Sequence, residues 1–484
     1  MDLVGSPIKS PETLTWPAGL ENKMMGPVHT DYNFSIPEGK ETRFIWSESW
    51  RLAWPVFIGG GVSQSMILIS RMMMGRIGES SLAALGMGQM IFFAIVMGLS
   101  SVSVGMVALM AREVGAGNPK EASRIFGQGV YFGAILSVAL AVLGILFSKK
   151  IFLALHTPQD VIDQASKFMQ ILFLGLPLAS LSFFVGAGLR GAGDTRTPMI
   201  IQVVNTVFNI VIQWILVFGK FGFPKMGITG AGLAMVLAFA MAMVCFILMF
   251  VFRMNIIPIN FSGLRMDWEI IKRLIKIGGP TAVEWELIQL GLIAFIGIVN
   301  RYGTEPGAAY IIGISFLTFT QLPAMGFNAS ATTLVGMCLG AKRPDVAEEA
   351  VRVNLRAATI LMTLIGVALF FFARPLVILL FPDSSELTVE LTVFYLQTVA
   401  VAQPFMGICF VQAGALRGAG YSVSPMLVQT FGMYFFRIGL AVLLWKALNA
   451  PVEWLWATQI PDFIFRSIMM GLSIRRGRWK QIKV

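Results

Sequence analysis

The chain has 484 residues, 56% of them hydrophobic and 13% charged, with a mean hydropathy of +0.75. A soluble surface needs roughly a quarter of the residues charged, so most of this surface does not face water. The apolar runs lack the alternation of barrel strands and match the length of membrane-crossing helices, which makes the chain an all-α membrane protein.

The net charge of +11 does not point to nucleic acid, because the basic residues lie in short loops between apolar runs and form no separate basic domain. Cys245, Cys338 and Cys409 all fall inside apolar runs, which argues against a disulfide framework. His29 and His156 lie outside the runs, and no metal-ligand cluster can be assembled. No phosphate-binding loop or nucleophile constellation appears, so an enzyme is not expected and no cofactor is called for.

Residues 1–43 are polar and rich in proline, and read as a flexible cytoplasmic tail without the layout of a cleaved signal. Twelve spans follow, over about 50–75, 81–111, 121–148, 159–188, 197–219, 227–252, 278–300, 307–338, 346–373, 387–415, 424–447 and 452–474. They divide into a first lobe over 44–253, a cytoplasmic linker over 254–277, a second lobe over 278–474 and a basic tail over 475–484. With the N-terminus inside, Lys and Arg number 25 on the inner side and 9 on the outer. The positive-inside rule then places both termini in the cytoplasm of a multi-pass cell-membrane protein, and a monomer is expected.

Within the spans, polar side chains need a reason, since each costs on the order of 2.5–3.5 kcal/mol when charged. The fifth span carries Gln202, Asn205, Asn209 and Gln213, which at helical spacing form one stripe. Such amides either line a wet cavity or hold helices together. The seventh span carries Glu284 and Glu286 after Pro280. A carboxylate there can take a proton or ligate Na⁺, or else pair with a loop arginine near the cytoplasmic end. The two glutamates point some 200° apart, so both cannot face one cavity, and Glu286 shares its face with Gln289. Asp462 and Arg466 have the spacing of an ion pair in the twelfth span, with Arg437 in the eleventh, a set that reads as structural. The 29 methionines and 38 phenylalanines are mostly packing or lipid-facing residues, with a few available to an adaptable binding surface.

The chain repeats itself. Leu189-Arg190-Gly191-Ala192-Gly193 recurs as Leu416-Arg417-Gly418-Ala419-Gly420, and the same offset of 227 maps Pro177 onto Pro404 and Gln202 onto Gln429. Earlier in each half an offset of 225 maps Pro55 onto Pro280, Arg76 onto Arg301, Gly115-Ala116 onto Gly340-Ala341 and Pro119 onto Pro344. Six spans separate the copies, so the halves have the same orientation and are related by a pseudo-twofold axis along the membrane normal. A cleft between two such lobes is the geometry of alternating access. The arginines of the repeated segments are expected to fix the turn by donating to carbonyls of the preceding helix end.

Gly186-Ala187-Gly188-Leu189-Arg190-Gly191-Ala192-Gly193-Asp194-Thr195-Arg196-Thr197-Pro198-Met199, with its partner around Gly414–Gly420, resembles a segment of the multidrug and toxic compound extrusion (MATE) family. Gly227-Ile228-Thr229-Gly230-Ala231-Gly232 and Leu334-Val335-Gly336 also look like stretches of that family, and the resemblance covers about residues 45–480. It implies a V-shaped pair of six-helix lobes, exporting small amphipathic and often cationic compounds against an inward flow of Na⁺ or H⁺. Glu284 stands where many such sequences carry a glutamate four residues after a proline, which makes it the first choice for ion coupling, with Glu286 second. Ser70 stands where many carry a first-helix aspartate, with Arg71 beside it, so no first-lobe carboxylate is available for coupling. The competing expectations are a flippase for a lipid-linked precursor, which would call for a more basic cavity and extra helices, and a membrane scaffold without transport.

Overall fold

The structure is a computed structural model that describes residue 34 and residues 36–154, 159–252, 266–382 and 384–482. In the first half, α1 runs Glu41–Gly75, α2 Glu79–Gly115, α3 Pro119–Ala154, α4 Gln159–Gly191, α5 Arg196–Phe218 and α6 Gly227–Val251. In the second, α7 runs Trp268–Val299, α9 Pro344–Leu380, α10 Glu386–Gly418 and α11 Val423–Ala447. Two helices there are interrupted: α8 runs Thr304–Thr320 and on as Leu322–Gly340, and α12 runs Val452–Ala457 and on as Gln459–Arg475. Pro323 and Pro461, which have no amide hydrogen to give to the preceding turn, follow these interruptions closely.

Eleven helices among the described residues are long and apolar enough to cross a membrane. The twelfth, α12, misses because it is split after Ala457 and carries Asp462 and Arg466. Phe371 and Leu379 are 74% and 75% exposed on the outer surface, and a belt of such side chains is stable only against lipid. Most of the expected tail over 1–43 and the first half of the linker over 254–277 lie outside the described residues. The linker's last part is helical, because Asp267 caps α7 by accepting from the amides of Glu269 and Ile270.

Helix ends repeat as the sequence does, with Gly115 and Gly340 closing α2 and α8, and Gly191 and Gly418 closing α4 and α10. The apolar core falls into four layers. At the end bearing the described termini, Ile45, Leu52 and Ala53 of α1 are buried in the core of the second lobe, among α8, α9 and α10. Reciprocally, Ile270, Leu274 and Ile277 of α7 are buried in the core of the first. Ile45 and Leu52 are the repeat partners of Ile270 and Ile277, so each lobe inserts the start of its first helix into the other. At the opposite end the two core layers are unshared: one is built wholly from α1–α6 and the other wholly from the second half. The lobes are therefore joined at one end and separate at the other, which gives the V.

Glycines set how close the joined ends come. A Cβ on Gly115 would lie 2.0 Å from the carbonyl oxygen of Met337, and one on Gly340 would lie 2.0 Å from that of Arg112. Ala111 and Gly336, repeat partners, meet each other at the crossing of α2 and α8. Only glycine permits backbones this close, a packing that membrane helices use in place of a hydrophobic driving force.

Candidate functional site

Above the α2–α8 crossing the facing helices part. Gly60 and Gly61 of α1 lie against Leu322 of α8, and Gly61 is the repeat partner of Glu286 on α7. Glu286 stands at the matching place across the pseudo-axis, its Oε1 3.2 Å from where a Cβ on Gly98 of α2 would sit. It is partly exposed and has no hydrogen bond or ion pair among the described residues. Gln289 lies almost one turn further along α7, also partly exposed, and its repeat partner Gln64 holds the same position on α1. Arg71 is exposed, three helical turns beyond Gly60 and hence on the same face of α1, nearer the open end of the cleft.

Glu284 points the other way. It is buried in the second lobe, where Arg417 Nη2 donates to its Oε1 at 2.5 Å and Gln429 Nε2 donates to the same oxygen. Its other oxygen, Oε2, is buried without a partner. Arg417 therefore does not cap its own helix as expected. The turn closes itself, with the amides of Ala419, Gly420 and Tyr421 donating to the carbonyls of Ala415, Arg417 and Leu416, and this leaves the guanidinium free to reach α7. Residues 188–194 close the first-lobe turn in the same way, yet Arg190 has no acidic partner there, because Gly59 occupies the place equivalent to Glu284.

Deeper in the second lobe, Asp462 accepts from Arg466 through both oxygens, at 2.5 and 2.7 Å. Gly432 of α11 lies so close that a Cβ would sit 2.5 Å from Asp462 Oδ1. Arg437 stands apart from that pair, contrary to a shared ion-pair set: its Nη2 donates to Gln459, and Asp462 has both oxygens already engaged. It sits in a π-helical turn over Gly432–Gly439, a distortion that frequently marks functional positions.

In the first lobe, Asn205, Asn209 and Gln213 are buried and Gln202 is partly exposed. The stripe faces α1, since Ser70 Oγ donates to Gln213 Oε1 at 2.7 Å. Gln202 Nε2 reaches Thr206 at 3.4 Å, while both amide atoms of Asn209 are buried without a partner. Among the described residues no group of His, Cys, Asp and Glu could hold a metal ion. Sequence reasoning placed no role on Gln429 or Gln459, although the 227-residue offset had singled out Gln429 as the partner of Gln202.

The sequence profile of the MatE family matches residues 55–215 and 280–443, once in each half. A relative described as a probable multidrug resistance protein NorM, from Thermotoga maritima, is 27% identical over 444 residues, spanning 91% of this chain and 95% of that one. Another, described as an FAD transporter from Shewanella oneidensis, is 24% identical over 396 residues, 80% of this chain and 86% of that one. Among solved structures, an outward-facing multidrug resistance MATE transporter superposes with a TM-score of 0.85 at 18% identity, over 93% of this chain and 100% of that one, a likeness of fold.

Proposed function

Because the chain belongs to the MatE family of multidrug and toxic compound extrusion transporters, we propose that it is a secondary antiporter exporting small amphipathic compounds against an influx of Na⁺ or H⁺. Alternating access follows from the joined-and-open V: the α2–α8 crossing must part as the opposite ends close. The excess of Lys and Arg at the joined end supports an inside location for it, so that the cleft described here opens outward.

The observation that carries the coupling assignment is the state of the three carboxylates away from the span ends, Glu284, Glu286 and Asp462. Glu284 is held by Arg417 and Asp462 by Arg466, whereas Glu286 is unpaired and faces the cleft. An unpaired carboxylate at the cleft floor can exchange an ion with the substrate, either by taking a proton or by giving Na⁺ the oxygen ligand it prefers. Glu284, engaged with Arg417, serves in this reading to tie α7 to α10 and α11. Gln289 and Gln64 offer hydrogen bonds to a substrate in the cleft, and in the stripe of Gln202, Asn205, Asn209 and Gln213 it is Gln213 that holds α5 to α1 through Ser70. Arg71 near the mouth and Glu286 at the floor give the path both signs of charge, which suits amphipaths with a zwitterionic or anionic head as well as cations. The names of the relatives, multidrug resistance for one and FAD transport for another, support that breadth.

The test is uptake of an amphipathic dye into proteoliposomes under a Na⁺ gradient, a pH gradient or neither. Wild type is expected to accumulate the dye several-fold over the no-gradient level under one of the two, and Glu286→Gln to stay at that level. Equal accumulation by wild type and variant under both gradients overturns the assignment.

A further inference from the structure

Five Asp, Glu, Lys or Arg side chains are buried in the helical cores among the described residues, all in the second lobe: Glu284, Arg417, Arg437, Asp462 and Arg466. Two pairs cancel, Glu284 with Arg417 and Asp462 with Arg466. Arg437 is the remainder, 6% exposed and with only the neutral side-chain oxygen of Gln459 as an acceptor for its guanidinium. Its Nε is buried without a partner. The guanidinium lies 5.8 Å from the ring of Phe295 and 5.9 Å from that of Phe463, contacts that help a cation but do not neutralise it.

The side chains around it are short of acceptors. From Phe295 a chain of rings leads through Tyr310 and Tyr395 to Trp456, with centroids 5.5, 5.3 and 5.7 Å apart. These rings share one core layer. The Tyr395 hydroxyl has only the neutral amide of Gln459 beside it, and the indole Nε1 of Trp456 is buried without a hydrogen bond. Arg Nε and Trp Nε1 can only donate, and a tyrosine hydroxyl donates readily to a charged acceptor. One uncompensated cation and two further donors in a single apolar layer lack the same thing, a negatively charged acceptor. The repeat partner of Arg437 in the first lobe is Ile210, so the feature is confined to one half.

We propose that Arg437, Tyr395 and Trp456 form a buried binding site for a monovalent anionic group in the outer part of the second lobe. The group is a carboxylate- or halide-like acceptor, supplied either by free inorganic anion or by the head of a transported compound. The site does not depend on the antiport reading, since it is measured as binding to the resting protein. Exposed arginines elsewhere, Arg71 among them, do not share its burial.

The experiment follows thermal unfolding of the purified full chain in lipid nanodiscs prepared in a bulky organic sulfonate. Chloride, acetate or phosphate is titrated in at constant ionic strength. A saturable rise in Tm with chloride or phosphate is expected if free inorganic anion fills the site, and a rise with acetate alone if the site takes the carboxylate head of a larger compound. Arg437→Met is expected to unfold at or above the wild-type temperature without anion and to ignore all three. Should that variant fail to fold, Tyr395→Phe and Trp456→Phe each remove one donor, and each is expected to raise the half-saturating concentration about tenfold. No response of wild type to any of the three anions overturns the site, as does an unchanged response in Arg437→Met or in both single-donor variants.

Discussion

Where Glu284 of the second lobe meets Arg417 in the core, the first lobe has Gly59, and Arg190 finds no acidic partner among the described residues. Where α11 of the second lobe carries the buried Arg437, the equivalent α5 of the first carries an amide stripe and a hydrogen bond from Ser70. Yet the two lobes end their helices at the same repeat positions and cross through repeat-related glycines. The difference teaches that backbone packing and interior chemistry have separate constraints in a duplicated membrane protein. The glycines must match because the crossing is shared, while the pairs Glu284–Arg417, Asp462–Arg466 and Ser70–Gln213 each lie within one lobe and are free to diverge.

That contrast can be broken most forcefully at the arginines. Arg417→Met leaves Glu284 buried without its charge partner, a loss expected to cost about 3–5 kcal/mol. Arg190→Met removes no ion pair and is expected to cost far less. Thermal unfolding of both variants in detergent compares them directly, and equal losses would mean that the arginines act through their turns and not through a partner.

The crossing should behave in the opposite way, alike in both lobes. Gly115→Ala and Gly340→Ala each place a methyl 2.0 Å from a carbonyl oxygen of the other lobe, and overpacking of this kind typically costs about 1–3 kcal/mol. Both variants are expected to populate the closed crossing less, read as longer α2–α8 distances between spin labels at the joined end, and to slow transport similarly. A large effect from one and none from the other would show that the symmetry is only apparent.

The smallest expected effect is in the first lobe. Ser70→Ala removes a neutral hydrogen bond to Gln213 and should cost about 1 kcal/mol in unfolding free energy, with gradient dependence of transport unchanged. A loss of that dependence would move the coupling site into the first lobe.

Much of the architecture was legible because membrane helices announce themselves by length and the repeat by rare residues in register. Twelve spans, two like-oriented lobes and the serine in place of a first-helix aspartate at Ser70 all come from such local signals. The interruption of α8 was not legible: 307–338 reads as one apolar run, and Pro323 resembles prolines such as Pro55 and Pro280 that leave their helices continuous. The pairing of Glu284 was legible only as one of several alternatives. Its partners lie 133 and 145 residues away, and helical periodicity says which face a residue takes but not what packs on it. For the same reason Arg437 was grouped with Asp462 and Arg466, since nothing in the spacing could reveal that Arg466 occupies both carboxylate oxygens.

The central claim is that the second lobe alone exchanges the ion for the substrate. It is tested most directly by measuring ion release when an amphipathic substrate binds to purified protein, by calorimetry in buffers of different ionisation enthalpy for protons and by displacement of labelled Na⁺. Wild type and Asn209→Leu should release the ion on binding, while Glu286→Gln should bind substrate and release none. Release by Glu286→Gln at the wild-type level, with loss in Asn209→Leu, would contradict the account.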